Sequence, residues 1–265
     1  MVRKIALGLV ILILTACTVS PTGRKQFLMM SPQQLDVMGT QSFVHMKRTK
    51  PVVNSSQVNQ YVLCVARAIL AEVPGNQSWE VVVFRDDTVN AFAVPGGKIG
   101  VNTGLSKVAR NQDQLAAVIA HEVGHVLSNH ANERLSQQYA VQGALMVVDA
   151  LAGNYSSPAT RQIAMQALGL GAEIGVLLPY SRIHENEADL IGLKLMAKAG
   201  FDPRESITLW RNMASAGGRQ PVEFLSTHPS DQTRIQNLNV NMAQAMQIYE
   251  TARSQGKKPQ CDKAV

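Results

Sequence analysis

The chain has 265 residues, of which 46% are hydrophobic and 17% charged, and its formal net charge is +6. This length suffices for one domain with a substantial core or for two small ones, and we expect a single domain. The basic residues are scattered and do not alternate with aromatic residues, which argues against a nucleic-acid-binding protein.

The first predicted element is a secretion signal over residues 1–16. Two basic residues precede an apolar run at residues 5–14, and this run is about half as long as a bilayer span requires, so a short membrane helix is the weaker alternative. Leu14-Thr15-Ala16-Cys17 resembles a bacterial lipobox, which implies lipidation of Cys17 and anchoring through acyl chains. Thr18, by resemblance to lipoprotein sorting, favours the outer membrane facing the periplasm over the inner membrane.

The remaining elements are predicted in chain order as a lipidated tether over residues 17–30 and one domain over residues 31–265. Helices are expected from Ser31-Pro32 to about Arg48, from Ser55 or Ser56 onward, from Asn102 to Ala109 and from Gln112 to about Asn132. Strands are expected from Trp79 to Phe84, from Asn90 to Val94 and from Lys98 to Val101, with the last two forming a hairpin. The fold class is therefore α+β and predominantly α, with a small β-sheet.

Two later stretches, residues 139–151 and 163–178, are unusually apolar and are expected to form a helical pair. They could dip into the membrane or contact a hydrophobic partner, or they could pack on the catalytic core.

Cys64 and Cys261 remain as an even pair once Cys17 is lipidated. In an oxidising compartment such a pair is expected to form a disulfide, here tying the carboxyl tail to an early helix; two unpaired thiols are the alternative.

His121-Glu122-Val123-Gly124-His125 is the segment whose residue types and spacing predict a catalytic metal site. On a helix, His121 and His125 stand one turn apart on the same face and can converge on one tetrahedral zinc ion. Glu122 is rotated by about 100° along the same turn and can instead take the proton of an attacking water as a general base.

A catalytic zinc ion needs a third protein ligand. A histidine six residues after His125 would complete a metzincin site, but that position is Ala131, and His130 lies about 140° off the ligand face of a continuous helix. Further along the chain, Glu185 and Asp189 stand at the helical spacing i and i+4.

The combination of HExxH with this later ExxAD helix resembles the gluzincin metallopeptidases of the M48 class, particularly bacterial Oma1-like lipoproteins. The resemblance covers most of the chain, including Thr22 to Gln26, Asn90 to Gly97, Thr103 to Leu105 and Thr227 to Pro229. It implies a gluzincin fold with one Zn²⁺ ion per chain, bound by His121, His125 and Glu185. It further implies that Glu122 activates the water and that Asp189 orients a ligating imidazole. Co²⁺ or Mn²⁺ could occupy the same ligands in vitro.

Several polar residues have more than one reading. Glu187 is a rival metal ligand, although it points to a different side of its helix. His184 is expected to have a surface or packing role, and His45 a structural one. His228 is either a loop histidine or a residue that supports the transition state or blocks the fourth zinc position in a latent state. Arg182 could contact a substrate carbonyl or brace Asp189.

The strand at Asn90, Ala91, Phe92 and Ala93 could pair through an exposed edge with an extended peptide and carry it across the metal, or it could be a sheet strand without substrate contact. The predicted function is a zinc endopeptidase that is lipid-anchored in the bacterial envelope and hydrolyses extended or misfolded envelope proteins. The main alternative is an envelope assembly or holding factor with a latent metal site; a non-peptidase zinc hydrolase is weaker. The expected partners are unfolded polypeptides, the membrane through the lipid anchor, and other envelope proteins.

Overall fold

The structure, a computed structural model, describes residues 17–54, 56–151, 180–216, 222–229 and 232–261. The predicted secretion signal and the apolar stretch at 163–178 lie outside these residues. The strands are β1 (Cys17–Val19), β2 (Lys25–Phe27), β3 (Glu80–Phe84), β4 (Ala91–Val94) and β5 (Lys98–Asn102). The α-helices are α1 (Pro32–Thr49), α2 (Ser56–Leu70), α3 (Gln112–Leu127), α4 (His130–Leu151), α5 (Arg182–Lys198), α6 (Glu205–Ala216), α7 (Glu223–Thr227) and α8 (Gln232–Ser254). The predicted class, mainly helical with a small sheet, is confirmed.

The three-stranded sheet has the order β3-β5-β4. β3 runs parallel to β5, with Glu80 opposite Lys98, and β4 runs antiparallel to β5, with Ala91 opposite Val101. The predicted hairpin is therefore confirmed, and among the described residues β4 lies at an edge of this sheet. The strand expected from Trp79 to Phe84 begins one residue later, at Glu80.

Two predictions for residues 102–132 are wrong in detail. Thr103–Lys107 forms a short 3₁₀-helix instead of an α-helix reaching Ala109. The helix expected from Gln112 to about Asn132 ends at Leu127, because Asn129 adopts the left-handed conformation with φ 52°. Asparagine tolerates this conformation better than most residues, and the chain turns there before α4 begins at His130.

The segment predicted as a tether is not a plain linker, because β1 and β2 pair as a short antiparallel hairpin. The Arg24 guanidinium binds Glu133 of α4 at 2.6 Å and Glu187 of α5 at 2.9 Å. Gln26 donates to the carbonyl oxygen of Ser128 at 2.5 Å. These bonds, made to side chains far away in the sequence, hold the hairpin against the helices.

Helices α3 and α5 cross closely at two glycines. A Cβ atom added at Gly124 would lie 2.8 Å from the carbonyl oxygen of Ala188, and one added at Gly192 would lie 2.9 Å from the backbone nitrogen of His121. These distances are shorter than ordinary van der Waals contacts, so the crossing requires glycine at both positions. The crossing brings the HExxH segment and the ExxAD segment face to face within the main hydrophobic core.

Cys64 of α2 and Cys261 near the carboxyl end are joined by a disulfide that closes a sequence separation of 197 residues. α4 continues unbroken through residues 139–151 as predicted, with Val141 60% exposed. Within the described residues, none of the helices combines the length and apolar character that crossing a membrane requires.

Candidate metal centre

Helix α3 presents the two histidines of HExxH on one face. The helix begins after Asn111, whose side chain accepts a hydrogen bond from the backbone of Gln114 at 2.8 Å. One turn separates His121 from His125, and their Nε2 atoms lie 3.0 Å apart. Both rings are almost fully buried, so their nitrogen atoms are shielded from bulk water.

Helix α5 brings a carboxylate to the same point. Ser181 caps this helix by accepting from the backbone of His184. Glu185, in its first turn, is completely buried and places its carboxylate oxygens 3.4 Å from Nε2 of His121 and 3.5 Å from Nε2 of His125.

His228 is the fourth member of this group. It follows α7, and its Nδ1 atom lies 3.3 Å from Nε2 of His121 and 3.1 Å from Oε1 of Glu185. Its side chain is also buried, and it stacks on Phe224 with ring centroids 4.4 Å apart. The structure therefore places His228 in the centre and not in an outlying loop.

This arrangement fits a tetrahedral metal ion. The ligand atoms of His121, His125, Glu185 and His228 all lie within 4.8 Å of one another. Ligands about 2.0–2.1 Å from a tetrahedral zinc ion stand about 3.3 Å apart, and the separations given above, from 3.0 to 3.5 Å, match that spacing. Imidazole nitrogens with a carboxylate are also the donor set that zinc prefers.

Asp189 lies outside the four and holds His121. Its Oδ1 atom is 2.9 Å from Nδ1 of His121, on the side of the ring opposite the centre. Although burial acts to raise it, the pKa of Asp189 is lowered by Arg234 and by His121. Burial likewise acts to lower the pKa of His121, but hydrogen bonds with Asp189 and Glu185 carry it to about 9. Asp189, which contacts the ring nitrogen that faces away from the centre, raises the basicity of this imidazole, and that favours cation binding.

Arg234 of α8 is a member of the site that sequence reasoning missed. Its guanidinium bonds both oxygens of Asp189 at 2.7 Å, approaches Glu185 at 2.7 Å, and lies over the Trp210 ring at 3.7 Å. Nothing in a single sequence distinguishes this arginine from the others of the chain. Arg182 is exposed at the start of α5, so the arginine that braces Asp189 is Arg234.

Glu122 points from α3 toward β4. Its Oε2 atom accepts a hydrogen bond from the backbone N–H of Ala93 at 3.0 Å, while Oε1 is buried without a hydrogen-bond partner in the described residues. Nε2 of His228 lies 3.4 Å from Oε1. Burial raises the pKa of Glu122, which suits a carboxylate that accepts a proton during a reaction.

Three further residues that the sequence analysis considered lie outside the metal group. Glu187 is not part of the metal group; it receives Arg24 and lies 3.1 Å from Nε2 of His130. His184 is buried, stacks on His130 at 4.4 Å and lies 3.2 Å from Glu133, so it is not a surface residue. His45 is exposed on α1, away from these groups.

A cleft of ≈ 160 Å³ opens beside the centre between β4, α1 and the junction of α3 and α4. Ala93, Pro95, His125 and Tyr180 line it. The strand residues themselves are largely covered: Phe92 packs in a cluster with Phe43 and Phe84, and the N–H of Ala93 is taken by Glu122. The backbone of β4 therefore borders the cleft, whereas Phe92 belongs to the core.

Residues 53–241 match the family model described as peptidase family M48. The chain is 37% identical over 196 residues to the mitochondrial metalloendopeptidase OMA1 of Schizosaccharomyces pombe, covering 72% of this chain and 55% of that protein. It is 27% identical over 232 residues to the beta-barrel assembly-enhancing protease of Yersinia pestis, covering 85% of this chain and 47% of that protein. The chain spans about half the length of these curated relatives.

Proposed function

We propose that this chain is a zinc-dependent endopeptidase of the bacterial envelope. The premise is that the chain belongs to peptidase family M48 and is a metallopeptidase. In this proposal Cys17 carries a lipid anchor at the outer membrane, the catalytic domain faces the periplasm, and the substrates are extended or misfolded envelope proteins. The observation that carries the catalytic part is the buried convergence of His121, His125 and Glu185 beside Glu122.

Each residue of the centre has a distinct role. His121, His125 and Glu185 would hold one zinc ion, which when bound supplies a Lewis acid for the scissile carbonyl. Glu122 accepts the proton of the attacking water at Oε1, the oxygen that has no hydrogen-bond partner among the described residues, and delivers it to the leaving amine. The bond from Ala93 to Oε2 keeps that carboxylate oriented. Asp189 and Arg234 contact Nδ1 of His121, the ring nitrogen that faces away from the centre, and so fix the orientation of the ring.

The substrate class follows from the cleft. An extended polypeptide laid along β4 would pass Ala93 and reach Glu122 and the centre together. Recognition through backbone atoms discriminates weakly between side chains, which suits a peptidase that acts on unfolded proteins. The name of the Yersinia relative, a beta-barrel assembly-enhancing protease, is consistent with envelope clients for this chain too.

The test is to measure bound metal in the purified chain and to follow digestion of casein, an unfolded protein, by wild type and by Glu122→Gln. Glutamine can still accept from the N–H of Ala93, so the variant should fold and keep zinc. General-base catalysis contributes about 10²–10⁴-fold, and the rate should fall by that factor. One equivalent of zinc with cleavage lost in the variant supports the proposal; cleavage that persists in the variant contradicts it.

A second function is favoured by His228. Because its Nδ1 atom stands among the ligand atoms at ligand spacing, it could occupy the fourth position and keep the centre latent. The chain would then act chiefly as an assembly or holding factor for envelope proteins. Zinc bound without cleavage in either wild type or Glu122→Gln would favour this function over the first.

A further inference from the structure

His130 makes a contact that the catalytic roles above do not use. It is fully buried at the first position of α4, and its Nδ1 atom lies 2.9 Å from Nδ1 of His125. On the other side of the same ring, Nε2 lies 3.1 Å from Oε2 of Glu187. The turn at Asn129 makes this possible, because on a continuous helix residue 130 would lie about 140° away from His125.

The two contacts define where the protons lie. If Nε2 of His125 binds zinc, then Nδ1 of that ring carries its proton and can only donate. The acceptor is Nδ1 of His130, which therefore has no proton. Nε2 of neutral His130 then carries one and donates it to the carboxylate of Glu187. Each of these side chains then has a hydrogen-bond partner, and the donation runs in one direction, from His125 to His130 and from His130 to Glu187.

The hydrogen bonds from His125 through His130 to Glu187 form a relay. The hairpin of β1 and β2 holds its last residue, Glu187. Arg24 donates from Nε to Glu187 at 2.9 Å and from its two terminal nitrogens to Glu133 at 2.7 and 2.6 Å. Thr22 donates its hydroxyl to the other oxygen of Glu187. The hairpin thus keeps Glu187 fixed as the final acceptor.

We propose that His130 is a positioning residue that fixes the tautomer and ring orientation of His125, and that Arg24 of the hairpin holds this relay in place. The inference rests on the proposed assignment of His125 as a zinc ligand. It gives the segment that follows Cys17 a role in building the metal centre. Partners of this kind, which bond to the far nitrogen of a ligating imidazole, typically contribute 10–100-fold to metal affinity.

The experiment measures zinc affinity by chelator competition, and the absorption spectrum of the Co²⁺-loaded protein, on the purified full chain in detergent. His130→Phe removes the acceptor but keeps a ring to stack on His184, and His130→Asn restores an oxygen near the Nδ1 position. Arg24→Met removes the guanidinium group through which the hairpin bonds to Glu187 and Glu133. The matched controls are His45→Phe, which makes the same change in an exposed histidine of α1, and Lys47→Met, which breaks an ion pair with Glu80 far from the centre.

We expect His130→Phe to weaken zinc binding 10–100-fold and shift the Co²⁺ spectrum, His130→Asn to recover most of that affinity, and Arg24→Met to weaken it several-fold. Both controls should bind as wild type does. Wild-type affinity in His130→Phe, or an equal loss in His45→Phe, overturns the inference while leaving the proposed function intact. If His130→Phe fails to fold by circular dichroism, Arg24→Met decides, and unchanged affinity there overturns it. A wild-type chain that binds no zinc while folded overturns the proposed function itself, and the inference with it.

Discussion

The close crossing of α3 and α5 makes Gly124→Ala a sharp test of how the metal centre is built. The added methyl group would meet the carbonyl oxygen of Ala188 at 2.8 Å and its Cα atom at 3.0 Å. Both are backbone atoms, so they cannot rotate away as the end of a side chain can. The helices must separate by roughly half an ångström to restore ordinary contact.

The magnitude follows from two opposing terms. Overpacking of this kind costs about 1–3 kcal/mol. Alanine is better than glycine inside a helix by about 1 kcal/mol, which offsets part of that cost. We therefore expect the metal-free protein to lose about 1 kcal/mol of unfolding free energy. Because Glu185 lies three residues from Ala188 on α5, separation of the helices also moves its carboxylate away from His121 and His125, and zinc affinity should fall.

The assay is urea unfolding of the metal-free protein, followed by chelator competition for zinc. The matched control is Gly143→Ala in α4, where an added Cβ meets no described atom within 4 Å; this change should stabilise the protein by about 0.5–1 kcal/mol. If Gly124→Ala matches wild type in both stability and zinc affinity, the helix crossing does not set the ligand spacing and our reasoning fails.

Three further predictions concern the centre and the disulfide. Asp189→Asn should lower zinc affinity by about 10–100-fold, measured by chelator competition, because an amide orients the His121 ring less strongly; unchanged affinity would count against its positioning role. His228→Ala should increase casein cleavage if His228 closes the fourth position, with zinc content as the control, whereas a fall in rate would show that it supports the reaction. Cys64→Ser should lower the unfolding free energy by about 2–5 kcal/mol, measured in urea, and the reductant-treated wild type should lose as much; equal stability of oxidised and reduced protein would contradict this.

Prediction from sequence succeeded where the physical cause is local. The spacing of His121 and His125 depends only on the helical repeat, and so does the spacing of Glu185 and Asp189. The hairpin around Pro95 and two glycines depends on turn chemistry within a few residues. The break at Asn129 was local as well, since asparagine is an acceptable residue at the end of a helix, but the prediction that extended the helix to about Asn132 did not use that signal.

Residues that lie far apart in the sequence escaped prediction. Arg234 enters the centre only because α8 packs against α5, and nothing near it in the chain indicates an acidic partner. His130 reaches His125 only because the chain turns between them, and Arg24 meets Glu187 across a separation of 163 residues. A polar side chain of this kind is identified by the groups that it contacts, and those groups are absent from its own segment.

The sequence by itself determined the mainly helical class and the HExxH segment with its general-base candidate, because helical periodicity and side-chain chemistry are properties of short segments; Glu185 was assigned to the metal only through the resemblance to M48 peptidases. Only the tertiary structure placed His228 among the candidate ligands, Arg234 beside Asp189, and His130 beside His125. The reason is physical. Buried charged and hydrogen-bonding groups require partners. Which groups become partners depends on how the helices cross, and the residues of a single segment do not determine that crossing.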